Sequence, residues 1–269
     1  MTFPSNMNNV RKSLIVEDSD FVWSFSRIKS FNDCKYGWWL RYIDDSETED
    51  KFFAQFGTLI HDLLAKFYEG ALNKNELVSQ YLCRFVREVS APAPNRKVYS
   101  GYFSDGLDYL KSFVDEKLIV LGVEKEVNFS IEGIKFIGFI DLIIKDENGD
   151  IHIVDHKSRD LKPYSKRAKK TNSDKELDDY YKQLYLYSNA IKDEYGCYPT
   201  YLSFNCFRNK NYIKEQFHLE KLVETNRWAV DMVKKIKANT DWSPDYDWFK
   251  CTYICDLCKE CEYYQINNS

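Results

Sequence analysis

The chain has 269 residues, 44% of them hydrophobic and 16% aromatic, and a formal net charge of -4. That aromatic content excludes a disordered chain, and the length suffices for one large core or two small ones. The slight acidity excludes a global attraction to polyanions, and the lack of a long apolar run or a signal-peptide pattern predicts a soluble, cytoplasmic protein without a membrane partner.

Residues 1–20 read as a loosely held arm. Ser26 or Ser30 is suited to cap a helix running through Trp38-Trp39. Residues 44–50 (Asp-Asp-Ser-Glu-Thr-Glu-Asp) form an acidic loop. Over 54–69 the spacing of Leu59, Ile60, Leu63, Leu64 and Phe67 predicts an amphipathic helix. His61 on that helix is either a packed histidine or, with the small Gly57 one turn away, a metal-facing one. Residues 75–90 read as a second helix, Ala-Pro-Ala-Pro at 91–94 as a break, and 104–120 as a third helix. Glu124 to Phe129 reads as a first strand.

Residues 138–157 then give a β-hairpin signal. Gly138-Phe-Ile-Asp141-Leu-Ile-Ile-Lys145 and Asp150-Ile-His-Ile-Val-Asp155-His156-Lys157 flank Asp146-Glu-Asn-Gly149. Two acids and a lysine stand among β-branched residues, where a strand surface is expected to be apolar. A two-residue turn at Asn148-Gly149 would set Leu142 opposite Asp155. A three-residue loop, 147–149, ends on the glycine that a left-handed bulge position favours, and sets Asp141 opposite Asp155 with Lys157 on the same face. We adopt the three-residue register. Carboxylates so close repel unless a cation lies between them, and Mg²⁺ or Mn²⁺ suits such a pair.

Lys157, Arg159, Lys162, Lys166, Arg167, Lys169 and Lys170 leave the second strand as a basic loop, beside the acidic run Asp174, Glu176, Asp178 and Asp179. The loop is either a solvated surface or a phosphate-tracking segment. Residues 175–195 predict a helix carrying Gln183 and Tyr187 on one face. Tyr201–Phe207 reads as a strand and Leu219–Ala238 as a long helix. Cys251, Cys255, Cys258 and Cys261 have the short spacings of metal–thiolate ligation. Four local thiolates suit tetrahedral Zn²⁺. Cys83, Cys197 and Cys206 read as ordinary thiols.

Gly-Phe-Ile-Asp141 followed by Ile-Val-Asp155-His-Lys157 resembles the metal-binding motifs of the PD-(D/E)XK nucleases, in particular their RecB-like exonuclease branch. Three further segments resemble that branch in order: Ser24–Cys34 with Trp38–Tyr42, Gly57-Thr-Leu-Ile-His61, and Gln183-Leu-Tyr-Leu-Tyr187. Ile140 replaces the proline of the family name, and Asp155 stands where Glu is usual. The resemblance implies an α/β (α+β) fold with a central mixed sheet flanked by helices, a restriction-endonuclease-like core. It implies a single nuclease domain over 21–269: a helical part at 21–120, a catalytic core at 121–207, and a C-terminal helix with a cysteine-rich tail at 208–269.

The activity it implies is metal-dependent DNA hydrolysis, exonucleolytic, in recombination, repair or phage DNA processing. A separate helicase or recombination protein is the implied partner, and a viral origin would place the chain in the host cytoplasm. His61, Asp141, Asp155 and the carbonyl of His156 would hold Mg²⁺ or Mn²⁺. Lys157 would position the nucleophile, and Gln183 and Tyr187 would hold the strand. Glu124 would lie near the metal. Lys162, Lys166, Arg167, Lys169 and Lys170 would follow the DNA backbone. Cys34 with three of the C-terminal cysteines would hold a [4Fe-4S] cluster, although the family's last three run Cys-x2-Cys-x5-Cys and residue 264 here is Tyr. The alternative reading is a catalytically inactive nucleic-acid or protein-binding module with the same fold.

Overall fold

The computed structural model describes residues 21–113 and 118–268, and the arm expected over 1–20 lies outside them. Helix α1 (Phe25–Asp33) starts at Ser24, whose side chain accepts from Arg27 N. The cap is therefore Ser24 and not Ser26 or Ser30, because the residue that must stay extended precedes Phe25, the first buried position. A short helix α2 (Lys35–Trp39) follows, capped by Cys34, and passes into a wide π-type turn at Leu40–Asp44.

Helix α3 (Phe52–Tyr68) buries Phe52, Phe56, Leu59, Ile60, Leu63 and Leu64, the stripe expected from a 3.6-residue period. Helix α4 (Lys74–Glu88) has a full capping box between Asn73 and Glu76. Helix α5 spans Arg96–Ser112 rather than 104–120. Asn95 caps it by accepting from Val98 N, and Gly101 weakens the helical signal of its first turns. These three helices share a core of Leu77, Tyr81, Phe85 and Leu110 against Phe56 and Leu63.

Five strands follow in the mixed order β1-β2-β3-β4-β5: β1 (Ile119–Ile131), β2 (Ile134–Lys145), β3 (Ile151–Lys157), β4 (Tyr201–Cys206) and β5 (Asn211–Gln216). β2 pairs with β3 antiparallel, β3 with β4 parallel, and β4 with β5 antiparallel. The parallel pair requires a long crossover. Helix α6 (Asn172–Tyr195) supplies it, and Leu184 and Ile191 are its deeply buried residues. Strand β5 was not expected from the sequence. It is an edge strand in which Ile213 alone is buried, so it carries little apolar signal. Helix α7 (Leu219–Lys237) and the short helices α8 (Trp248–Tyr253) and α9 (Glu262–Asn268) complete the chain. The fold is α+β with a mixed sheet, as expected. No helix among the described residues is long and apolar enough to cross a membrane.

The chain groups into two compact units. The described residues of the first are 21–51, 128–137 and 224–268, and those of the second are 52–113, 118–127 and 138–223. In the first unit Trp38 stacks on Trp23 and on Trp242, at centroid distances of 6.5 and 5.6 Å. Trp23 also exchanges backbone hydrogen bonds with Lys135 and Ile137.

Candidate active site

Within the second unit, the β2–β3 register pairs Leu142 with Val154 and Lys145 with Ile151, and one further step sets Asp141 opposite Asp155. Asp146 N donates to Asp150 O, and Gly149 N to Asp146 O, each at 3.0 Å. Gly149 has φ +87°, so the connection is the three-residue loop closed by a left-handed glycine. The register argued from the sequence is the one the hairpin adopts.

Asp141 Oδ2 accepts from His156 N at 2.6 Å, which ties the carboxylate to the backbone of β3. α3 brings His61 to the same point. Its Nε2 lies 2.9 Å from His156 O, and its Nδ1 lies 3.6 Å from Asp141 Oδ2 and 3.7 Å from Glu124 Oε1. A carbonyl oxygen only accepts, so Nε2 carries a proton and Nδ1 is the ring nitrogen that faces the carboxylates. His61, Glu124 and Asp141 each present a ligand atom within 4.8 Å of the others, the one such group among the described residues.

The electrostatics of the cluster show a deficit of positive charge. Burial, and then the Asp155 carboxylate, lift the Asp141 carboxyl well above the usual carboxylate range. Burial works against a charge on His61, but Glu124, Asp141 and Asp155 outweigh it and raise its pKa. Asp155 stands apart from the three-group cluster. It is buried, and its Oδ2 lies 2.7 Å from Lys157 Nζ in an ion pair whose angles fall short of a hydrogen bond, so that oxygen keeps unfilled acceptor capacity. One imidazole nitrogen with carboxylate oxygens is a donor set that fits a hard divalent cation.

Lys157 is held from three sides. Besides Asp155, it donates to Gln183 Oε1 at 3.3 Å and lies 5.1 Å from the centre of the Tyr180 ring. Burial lowers its pKa, but Asp155 and Asp141 more than compensate and keep the ammonium charged. Gln183 Nε2 in turn donates to Tyr187 Oη at 3.3 Å. Tyr187 lies against β2 where Gly138 leaves room: a Cβ at 138 would sit 2.2 Å from its Cε1. The structure thus gathers Asp141, Asp155, His156, Lys157, His61, Gln183 and Tyr187 in one place.

Tyr180 was absent from the set singled out by motif, whereas Glu124, which the resemblance implies near the metal, lies 3.7 Å from His61 Nδ1. Glu124 has φ +43°, an uncommon conformation for a glutamate inside a strand, and this turn of the backbone aims it at His61. No residue type signals that bend. Tyr180 was legible in principle, since it precedes Gln183 by one helical turn and shares its face.

Lys162, Lys166, Arg167, Lys169 and Lys170 are all exposed, outside the metal cluster. Lys170 forms an ion pair with Asp178 at 2.6 Å. The acidic run is not a repelled neighbour of this loop but its anchor. Buried Asp174 accepts from Ser165 N and Oγ at 2.6 and 2.7 Å and from Thr171 N and Oγ1 at 2.6 and 2.8 Å. These donors hold its carboxyl below the usual carboxylate range.

The cysteine group lies in the first unit. Burial first, and then Cys34 beside Cys251 and Cys261 and these two beside Cys255, raise the thiol pKa values, whereas the Cys258 thiol is buried and faces Lys51. Cys34 Sγ accepts from Gly37 N at 3.3 Å. No three of these sulfurs lie within 4.8 Å of one another.

A family model described as the PD-(D/E)XK nuclease superfamily matches residues 22–266. No curated protein sequence matches the chain. Among solved structures, a "putative exonuclease" from Eubacterium rectale is 14% identical, covers 97% of this chain and 93% of its own, and superposes with a TM-score of 0.48. The protein SSO0001 is 14% identical, covers 94% of this chain and 96% of its own, with a TM-score of 0.33.

Proposed function

Because the chain belongs to the PD-(D/E)XK nuclease superfamily, its substrate is nucleic acid, and we propose that it is a divalent-metal-dependent deoxyribonuclease acting as an exonuclease. The observation that carries this reading is the apposition of Asp141 and Asp155 across the hairpin, with Lys157 on the same face. His61, Glu124, Asp141 and Asp155 would hold Mg²⁺ or Mn²⁺, with the His156 carbonyl as a further oxygen beside them. When bound, the ion lowers the pKa of water and polarises the phosphate.

The chain's own groups do the rest. The His61–His156 hydrogen bond fixes the tautomer that leaves Nδ1 available. Lys157 presents a fixed positive charge to the phosphate and orients the attacking water. Gln183 and Tyr187 hold Lys157 in that pose. An inactive module would need none of this set, and two buried carboxylates facing each other would only destabilise it. The resemblance to the RecB-like branch supports exonucleolytic action in recombination, repair or phage DNA processing beside a separate helicase or recombination protein. Free thiols throughout the described residues suit a reducing, cytoplasmic setting.

Digestion of end-labelled single- and double-stranded DNA, with RNA as a control, tests the reading. Mononucleotide release with Mg²⁺ or Mn²⁺ and none with EDTA is expected. Internal cuts, or cleavage of RNA alone, would replace the exonuclease or the DNA assignment. Gly138→Ala should push Tyr187 off β2, lower the cleavage rate by about 10²-fold and cost about 1–3 kcal/mol of stability. Kinetics and thermal unfolding measure the two effects, and an unchanged rate would separate Tyr187 from the chemistry.

Lys162, Lys166, Arg167, Lys169 and Lys170 would carry the DNA backbone, on a loop that Asp174 pins at both ends. Replacing Lys166, Arg167, Lys169 and Lys170 by Ala should flatten the salt dependence of DNA binding, each lost phosphate contact removing about 0.7–0.9 from the log–log slope. An unchanged slope would remove the loop from the interface.

For the cysteines we propose a [4Fe-4S] cluster on Cys34, Cys251, Cys255 and Cys261. Tetrahedral Zn²⁺ with bonds of about 2.3 Å brings its sulfurs to about 3.8 Å from one another. A cluster gives each thiolate its own iron, and the resemblance to the RecB-like branch, with Cys34 at that branch's N-terminal cysteine, supports it over zinc. The Gly37 amide on Cys34 Sγ is a hydrogen bond of the kind such a centre uses.

A further inference from the structure

Alternation along β3 and β4 puts Asp155 and Lys157 on the sheet face that carries their partners Phe204 and Cys206, while His156 and Asn205 share the other. Helix α6 covers the first of these faces, with the Tyr180 and Tyr181 rings 6.1 and 4.9 Å from that of Phe204. On α6, Glu176, Tyr180, Gln183 and Tyr187 follow one another three or four residues apart, so they form one stripe along the helix. Gln183 and Tyr187 are the ends of the Gln-x-x-x-Tyr segment. Glu176 and Tyr180 continue the stripe in front of it, where no motif reaches.

This extension is tied to the strand that carries the lysine. The Lys157 ammonium lies over the Tyr180 ring, 5.1 Å from its centre. Arg159 Nη1 donates to the Tyr180 hydroxyl at 3.4 Å, and Arg159 Nε pairs with Glu176 Oε1 at 3.0 Å. Phe204 meets the ring at 70°. Tyr181, the next residue, is core at 3% exposure, whereas Tyr180 stays half-buried beside the charge. The type of contact decides what Tyr180 can do. Lys157 faces Asp155 at 2.7 Å and donates to Gln183 Oε1 at 3.3 Å, and an ammonium has three N–H groups in all. A second carboxylate there would cancel its charge, and another acceptor would take up a further N–H. A ring face does neither. Its quadrupole attracts the whole charge, most strongly where water is excluded, and so leaves an N–H for a phosphate oxygen.

We propose that Tyr180 is a positioning residue for Lys157: its ring holds the ammonium in the pose that meets the phosphate, and Arg159 and Glu176 hold the ring. The proposal rests on the nuclease reading, and Tyr180 acts on the substrate only through Lys157.

Cleavage kinetics on labelled DNA with Mg²⁺ test the proposal, with nuclear magnetic resonance of the metal-free full chain as a second readout. Tyr180→Leu should lower kcat by about 10–10²-fold, the scale of a small misplacement of a reacting group, and leave KM within about twofold. Tyr180→Phe keeps the ring and should recover most of that loss. Ring-fluorinated phenylalanines placed at position 180 keep the shape but weaken the negative face. Across that series kcat should fall stepwise with fluorine content while the melting temperature stays level, which a packing role would not produce. The series also stands in for the leucine variant if that variant fails to fold. In EDTA, shielding by the ring should move the Lys157 ε-protons upfield in the wild type and in Tyr180→Phe, and Tyr180→Leu should return them to the ordinary lysine position. Full kcat in Tyr180→Leu, or a flat fluorine series, beside a wild type that cleaves would overturn this role alone. So would unshifted ε-protons in the wild type. A wild type that cuts neither DNA nor RNA would end the nuclease reading, and this role with it.

Discussion

Asp141→Ala and Lys157→Ala should each lower metal-dependent cleavage by about 10³-fold or more while the fold persists. Losing one preorganised group that stabilises developing charge typically costs about 10²–10³ in rate, and here each residue also holds its neighbours. Asp141 is fixed by His156 N and faces His61, and Lys157 joins Asp155 to Gln183. A variant that merely unfolded would give the same loss of rate, so Asp141→Asn supplies the control. The folded protein holds the Asp141 carboxyl above its unfolded pKa. Ionised Asp141 therefore costs stability above that raised value, and the cost vanishes below the ordinary carboxylate range near 4. In EDTA, Asp141→Asn should melt at or above the wild-type temperature at pH 8 and show no advantage at pH 4. Added Mg²⁺ should raise the wild-type melting temperature and leave the variant unmoved, because only a protein that binds the ion gains from it. Full cleavage by either alanine variant, free of contaminating nuclease, would end the assignment.

The cysteine group offers the second large effect, with a contrast inside one short segment. Cys34→Ser and Cys251→Ser should lose the metal centre, whereas Cys258→Ser should keep it, since that thiol faces Lys51. Protein isolated without oxygen should be brown and carry iron and sulfide in equal amounts. Metal binding in such centres is folding free energy, with structural zinc sites worth about 10–16 kcal/mol. As a ligand of the proposed centre, Cys34 would tie the tail to residues far earlier in the sequence, so its loss should also expose the C-terminal segment to protease. A colourless protein with about one Zn²⁺ per chain would favour the zinc reading, and loss of metal in Cys258→Ser would reject the proposed ligand set.

Much of the hairpin was legible because its information is local. Gly149 closes a three-residue loop, alternation sets the faces, and Asp141 must then meet Asp155. The features that escaped depend on partners distant in sequence or on backbone conformation. Glu124 was placed near the metal by the resemblance alone, since no residue type announces the positive φ through which it reaches His61. β5 stays with the sheet through its pairing with β4, not through a hydrophobic pattern of its own. The basic stretch after Lys157 and the acidic stretch after Asn172 read as opposing charges, yet Asp174 and Asp178 fasten one to the other. The cysteine spacing suggested a centre, but that Cys258 faces Lys51, the ground for leaving it out of the proposed ligands, depends on a contact distant in sequence.

His156 sits between Asp155 and Lys157, and its two halves serve different neighbours. Its amide and carbonyl engage Asp141 and His61, while its ring lies on the far side of the sheet with Tyr68 and Asn205. Every amino acid except proline would supply the same amide and carbonyl. Position 156 is therefore a place where the rear of the sheet can be rebuilt by saturation mutagenesis while the front keeps its bonds, and a library there would separate drift in one property from preservation of the other.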